Sequence, residues 1–298
     1  MLIFNDAEFC LYADDLKIFK EINEPLDTQI LQSNIDKLIT YAQTNNLTLN
    51  AKKCIVTSFS RKQSSLICAQ YHIEGEELER KISTRDLGVI YDHKLNFNDH
   101  ISYISGKARK MLGFIIRNGK YFKDANTFIT LYNSLVRSNI EYASVIWNPH
   151  TQLQTNKLES IQHKFLRFLA FKCLNKKDDS LNYSEIEKRF KMDNLELRRK
   201  IADVKFTTKS FNNIMDSQSY LHHFKFSPLN SITRKNDVFK TTGSKTDVGK
   251  FSLFNRLMNT FNKLQNNDNW LRNQPNDNSI KYVSRLSTQE SSQANNLA

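Results

Sequence analysis

In the stretch FCLYADDLKIF, Phe9 to Phe19, Asp14 and Asp15 stand side by side between two short apolar runs. Adjacent carboxylates repel unless a cation or nearby donors stabilise their charge. A hard divalent ion suits that role. Mg²⁺ takes oxygen ligands, is commonly held by one or two carboxylates plus substrate phosphates, and in pairs stabilises both the attacking and the leaving oxygen of phosphoryl transfer. A solvated acidic turn is the alternative for an isolated Asp-Asp. A second candidate is the run Ser102 to Lys123, with six basic residues (Lys107, Arg109, Lys110, Arg117, Lys120 and Lys123) and no acid. It reads either as a track for phosphates or as a solvated helix face.

The elements that must position these groups follow from periodicity. Phe9, Leu11 and Ala13 alternate with Cys10, Tyr12 and Asp14, and an apolar run resumes after Asp15, so the spacing predicts a β-hairpin with the acids at its tip. Asp27 is placed to cap a helix carrying Leu31, Ile35, Leu38 and Ala42 on one side and ending near Asn45-Asn46. Cys54 to Phe59 reads as a strand, Tyr71 to Leu78 as a hairpin turned at Glu74-Gly75, and Leu87 to Tyr91 as a further strand. From Asp99 the period becomes helical. Ile101, Ile104, Ala108, Met111 and Ile115 form one stripe, Phe128, Leu131 and Leu135 a second, and Leu158, Ile161, Phe165 and Phe168 a third, which predicts a small bundle. The change falls near residues 93 to 99, where Asn98 or Asp99 is placed to cap the first of these helices. Lys176 to Asp179 reads as a polar connector, Ser184 to Ser210 as helical, and the Asn-, Gln- and Ser-rich residues 265–298 as a mostly disordered tail.

Composition bounds the function class. The 298 residues carry 43 Lys and Arg against 31 Asp and Glu, a net charge of +12, as expected for a polyanionic partner. The first fifty residues hold three basic and eight acidic side chains, so they carry −5 and the remainder +17. Cys10, Cys54, Cys68 and Cys173 are far apart, with no C-x-x-C pair, and are expected to be reduced and mostly buried thiols. No apolar run approaches the ~20 residues of a membrane span, so an intracellular, soluble chain with no membrane partner is expected. Trp147 reads as a core aromatic, and His222 and His223 carry no assigned role.

Tyr12-Ala13-Asp14-Asp15, flanked by apolar strands, resembles the catalytic hairpin of reverse transcriptases, in particular the non-LTR retrotransposon, jockey-like LINE branch. The resemblance continues in order along nearly the whole chain. Leu47-Thr48-Leu49-Asn50-Ala51-Lys52-Lys53 is similar to that family's L-x-L-N-x-x-K block. Leu87-Gly88-Val89 with Asp92, Leu95, Phe97 and His100 resembles its LGV-x-x-D-x-x-L-x-F-x-x-H block. Leu131 to Arg137, Glu141 to Trp147, and Leu158-Glu159 through Gln162 to Arg167 resemble its thumb and the helical segment after it. Phe254 to Leu264 is similar to a stretch near the end of such reading frames.

The resemblance implies an α+β fold. Residues 1–95 would be a partial palm with the YADD hairpin and the primer-grip region, 96–175 a helical thumb, and 176–264 a helical C-terminal region. It implies Mg²⁺-dependent addition of deoxynucleotides to a DNA primer on an RNA template, with Asp14 and Asp15 as catalytic metal ligands and Lys53 near the incoming phosphates. Tyr12, Gly88, Lys107, Arg109, Lys110 and Arg117 would touch nucleic acid. Read without the family, Lys52 and Lys53 are simply solvated surface lysines, and Gly88 marks a strand bulge. The family takes another metal-binding Asp and its fingers from residues upstream of the hairpin, and eleven residues precede Tyr12 here. Leu2-Ile3-Phe4-Asn5-Asp6 is similar to a FIND-type segment joined directly to the hairpin. The expectation is therefore a chain truncated at its N-terminus that binds Mg²⁺ weakly and is inactive alone, with a non-catalytic nucleic-acid-binding remnant as the alternative.

Overall fold

A computed structural model describes residues 6–60, 66–175, 182–212, 214–227, 237–241 and 243–265. The Leu2–Asn5 part of the FIND-type segment, the Lys176–Asp179 connector and the tail beyond 265 lie outside the described residues. The fold is of mixed α and β type, in two compact units, Met1–His100 and Ile101–Ala298.

The first unit sets one long helix among small two-stranded sheets. Strands β1 (Glu8–Tyr12) and β2 (Asp15–Phe19) pair antiparallel, with Tyr12 opposite Asp15 and Phe9 opposite Ile18. Helix α1 (Pro25–Thr44) opens on a capping arrangement that differs from the expected one. Glu24 is the cap residue, Pro25 fills the first helical position, and Asp27 lies inside the first turn, its Oδ2 accepting the N–H groups of Asn23 and Glu24 at 2.8 and 2.9 Å. Those two bonds hold the Asp27 carboxyl below the usual carboxylate range. The helix ends at Asn45, with Asn46 left-handed after it.

Strand β3 is only Ile55–Val56, shorter than its apolar run, and pairs in parallel with β6 (Glu79–Arg80). Strands β4 (His72–Ile73) and β5 (Glu76–Glu77) form the hairpin expected at Glu74-Gly75, both turn residues having positive φ, as a type I′ turn requires. Ile35, Tyr71, Ile73 and Leu78 make the core, with Ile18, Leu31, Leu49, Cys54 and Val56 packed against it.

Strands β7 (Ser83–Asp86) and β8 (Val89–Asp92) form another hairpin, so Leu87 and Gly88 are its turn and not the start of a strand. Their φ values are +43° and +87°. Past β8 the chain reverses into α2 (Asn98–Asn118) through two left-handed non-glycine residues, Leu95 and Phe97. Asp92 is buried, and it makes this reversal possible. Its Oδ1 accepts from Lys94 N–H at 3.0 Å, and its Oδ2 from Asn96 and Phe97 N–H at 3.0 and 2.7 Å. Asn98, expected as a cap, is already helical, and its N–H is taken by Asn96 Oδ1. His100 accepts the Ile90 N–H at Nδ1, 3.2 Å, and is buried.

The second unit is helical. The buried stripe of α2 is Ile101, Ile104, Ala108, Leu112 and Ile115, with Leu112 in the place expected for Met111. Helix α3 (Ala125–Tyr132) runs through a π-helical segment, Asn133–Arg137, into α4 (Ser138–Glu141). Its fully buried residues are Phe128, Tyr132, Val136 and Ile140, not Leu131 and Leu135. A strict spacing of four would drift around a 3.6-residue helix, and the wider π turn keeps the four on one side. After α5 (Ser144–Trp147), the expected third stripe is realised in α6 (Gln152–Leu174). Tyr132 stacks on Phe165 at 4.1 Å between centroids and Phe128 meets Phe168 edge-on. Trp147 is buried, its indole N–H donated to Tyr142 O.

The predicted helical stretch after the connector is two helices, α7 (Tyr183–Phe190) and α8 (Leu195–Phe211), parted at left-handed Lys191. Then come α9 (Gln218–Leu221), α10 (Asp247–Lys250) and α11 (Leu253–Gln265). Val204, Phe224, Phe239, Leu257 and Phe261 form a second core. At its edge Asp203 is buried, its carboxylate 3.1 Å from Arg256 Nε and 3.3 Å from Asn148 Nδ2. Desolvation pushes its carboxyl up, and Arg256 opposes that shift. Of the cysteines, Cys10 and Cys68 are exposed and Cys54 and Cys173 only half-buried, so the expectation of mostly buried thiols fails.

Three stability outcomes follow. Asp92→Ala orphans the N–H groups of the reversal and should cost about 3 kcal/mol in urea unfolding. Arg256→Met strands the buried Asp203 charge and should cost about 3–5 kcal/mol. Burial, and behind it the Arg85 guanidinium, depress the His100 imidazole from 6.5 to about 4. Between those pH values the unfolded chain binds a proton that the folded chain refuses. Stability should therefore fall as pH drops from 6.5 through about 4, by on the order of 3 kcal/mol, and level off below. Urea titrations at pH 7 and 4 should give that loss in the wild type and a smaller one in His100→Asn.

Candidate functional site

Alternation along β1 and β2 sorts their side chains onto two faces. Phe9, Leu11, Leu16 and Ile18 share one, and Cys10, Tyr12, Asp15 and Lys17 share the other. The apolar face seats Ile18 on the core, while Phe9 and Leu11 stay 47% and 66% exposed. Ala13 and Asp14 make the two-residue turn, and Ala13 is left-handed at φ +53°. Asp14 and Asp15 are both exposed. The tip therefore presents two adjacent carboxylates to solvent, with the Tyr12 ring directly across the ladder from Asp15.

Sequence reasoning missed what anchors this hairpin. Lys17, two residues beyond Asp15 on the same face, pairs with Asp86 at the end of β7 at 2.8 Å. At the hairpin's base Lys20 pairs with Asp27 of α1 at 3.2 Å. The alternation of Lys17 with Asp15 was the available signal; its partner, far along the chain, had none.

The other predicted residues lie on other elements. Lys53 closes a 3₁₀ turn, Ala51–Lys53, and is exposed beside Lys52, while Ala51 and Cys54 on either side pack on the core that seats Ile18. Gly88 sits in the β7–β8 turn, where its positive φ explains its presence, in place of the expected bulge. Lys107, Arg109, Lys110 and Arg117 are exposed on α2. At 100° per residue, Lys107, Lys110 and Arg117 share the side opposite the buried stripe, and Arg109 lies off to one flank.

Several residues of the family-like blocks hold the fold. Asp92 and His100 secure the entry to α2. In the Leu158-Glu159-x-Ile161-Gln162 block, Glu159 accepts the Leu195 and Glu196 N–H groups at the start of α8, at 3.3 and 2.7 Å. Gln162 is buried; it accepts the Tyr132 hydroxyl proton and donates to Asp193 O at 2.9 Å. Glu141 receives the Arg198 guanidinium.

Among the described residues, no group of three or more His, Cys, Asp or Glu side chains is placed to hold a metal ion. Mg²⁺ wants six oxygens and commonly takes only one or two from carboxylates. Asp14 and Asp15 thus fit a site that phosphate and water oxygens complete, and do not form a protein cage. No described helix is long and apolar enough to cross a membrane.

No family model and no solved structure matches the chain. The RNA-directed DNA polymerase from mobile element jockey of Drosophila melanogaster is 25% identical over 170 residues, which are 55% of this chain and 18% of that protein. The same-named protein of Drosophila funebris is 27% identical over 164 residues, 53% of this chain and again 18% of the relative. The chain thus matches under a fifth of the length of either curated relative. Taken with the ordered blocks around Tyr12-Ala13-Asp14-Asp15, these similarities support kinship with the jockey-like non-LTR retrotransposon reverse transcriptases.

Proposed function

We propose that this chain carries the metal-binding hairpin and adjoining helices of an RNA-directed DNA polymerase, working on an RNA template and a DNA primer with deoxynucleotides as substrate. The observation that carries the reading is the pair of exposed carboxylates, Asp14 and Asp15, at the tip of an anchored hairpin in a chain similar to two such polymerases. In this reading residues 1–95 are palm and 96–175 thumb.

The roles follow from the side chains. Asp14 and Asp15 each offer carboxylate oxygens to Mg²⁺, which when bound neutralises the phosphate charge that develops in nucleotidyl transfer. Tyr12 flanks the pair and limits what lies over it. Lys53 supplies a mobile cation for the incoming phosphates. Lys107, Lys110 and Arg117 neutralise backbone phosphates without reading sequence. A second reading, a nucleic-acid-binding module without catalysis, is favoured by a donor set of two carboxylates among the described residues and by the basic side of α2.

Primer extension on an RNA template with Mg²⁺ separates the two. Incorporation that falls at least 100-fold in Asp14→Ala/Asp15→Ala, since two of the metal's ligands are lost, would establish the polymerase reading and overturn the expectation that the chain is inactive alone. Absence of incorporation, in folded protein that binds a primer–template duplex, would leave the binding module. Binding in either case should weaken steeply between low and moderate salt through counterion release.

A further inference from the structure

Helix α2 exposes more than charge. Tyr103 and Phe114 are 40% and 49% exposed, and with Lys107, Lys110 and Arg117 they recur at i, i+4, i+7, i+11 and i+14. At 100° per residue these five side chains fall within an arc of about 80°. Along the axis the order is ring, cation, cation, ring, cation, and the two rings are about 16 Å apart at 1.5 Å per residue. The buried stripe from Ile101 to Ile115 occupies the opposite side, so this face is turned away from the fully buried residues of its own helix. From Ser102 to Lys123 no acid offsets the cations, and the nearest carboxylate on this face, Asp99, lies one turn before Tyr103.

Two glycines lie beside this stripe, in the middle of a 21-residue helix. Glycine there weakens a helix, so its presence asks for a reason. Gly113 has a local one: an added Cβ would stand 3.2 Å from Arg117 Nη1, so the guanidinium folds over it. Gly106 has none among the described residues, because a Cβ there would meet nothing within 4 Å. The surface next to Tyr103 and Lys107 is therefore lowered, and no neighbour among the described residues fills the space.

We propose that this face of α2 binds an unpaired RNA strand, with the rings of Tyr103 and Phe114 stacking on bases and Lys107, Lys110 and Arg117 holding the phosphates between them. The inference rests on the reading that a polynucleotide is the partner, and it goes further by naming the strand state. Phosphate charge alone would be served equally by a duplex. The rings decide. A duplex hides its base faces in its own stack, so rings on the flank of a helix have no base plane to meet. An unpaired strand offers one at every nucleotide, and base–aromatic stacking beside a basic track is how unpaired strands are held without sequence preference. RNA is the strand chosen because it is the template in the proposed reaction. The open surface at Gly106 lets the strand's backbone lie close to the helix.

The test is fluorescence anisotropy with the full chain and three probes: a labelled oligouridylate of about 12 nucleotides, its oligodeoxythymidylate counterpart, and the oligouridylate paired with oligodeoxyadenylate. The expected result is tighter binding of the oligouridylate than of the hybrid duplex. Tyr103→Leu/Phe114→Leu should weaken that binding about tenfold or more without changing its salt slope. Lys107→Gln/Lys110→Gln should reduce the slope by about 1.4. Gly106→Ala should raise the melting temperature by helix propensity yet weaken RNA binding, a combination that a purely structural role for Gly106 does not produce. Melting curves on each variant establish folding. Duplex bound as tightly as single strand with no effect of the ring substitutions, or capture of the DNA strand alone, overturns the inference and leaves the polynucleotide reading in place. Binding of none of the three probes by folded protein overturns both.

Discussion

Where a chain turns from a strand into a helix, several N–H groups lose their ladder before a helix can take them, and some acceptor must be present. Here that acceptor is Asp92. Its two oxygens collect the N–H groups of Lys94, Asn96 and Phe97, and the left-handed Leu95 and Phe97 are tolerable because those bonds over-determine the loop. His100, one turn into α2, reaches back to Ile90 and fixes the last strand. The same device recurs at Glu159, which caps the start of α8, and at Gln162, which joins Tyr132 to the Asp193 carbonyl. Polar side chains that serve another element's main chain hold this molecule's small sheets and short helices in register.

The hairpin that carries Asp14 and Asp15 is built on a different principle. One end is tied down and the other is left free. Ile18 enters the core, Lys17 reaches Asp86 and Lys20 reaches Asp27, all on the second strand or just beyond it. The first strand contributes little to the core, and the tip contributes nothing. Two like charges tolerate adjacency because water solvates both. In the proposed reading, a cation arriving with its own phosphate oxygens would find them desolvated by little and fixed in direction by a two-residue turn. Precision at the tip comes from the ladder below it, and affinity is left to whatever completes the coordination.

The sequence showed local features and missed the non-local ones. The Tyr12–Asp15 hairpin, the Glu74-Gly75 turn, α1, the stripe of α2 and that of α6 were all legible, because period and turn chemistry act over a few residues. The parallel pairing of Ile55–Val56 with Glu79–Arg80 involves two residues a side and has no periodic signal. Leu87-Gly88 read as strand because leucine is a poor marker for a position with φ above zero, and only the glycine hinted at a turn. The choice of Tyr132 and Val136 over Leu131 and Leu135 depended on a π segment that apolar spacing does not announce. At the candidate site, the adjacency of the two carboxylates was plain from the letters, whereas the ion pair that holds their hairpin needed the fold. Cys10 is exposed for the same reason: it shares the solvent-facing side of a ribbon whose other side alone is seated.

That ribbon has only two strands, and each pairs with no third among the described residues. The outward N–H and C=O groups of Leu11 are a template for another strand, and its side chain, 66% exposed, supplies an apolar underside that such an addition would cover. A newcomer on that side would extend the sheet sideways and leave the turn at Ala13-Asp14 projecting beyond its end. The carboxylates would keep their outlook whichever strand arrived, so the ribbon can be enlarged, by this chain or by another, without rebuilding the place where the ion would sit.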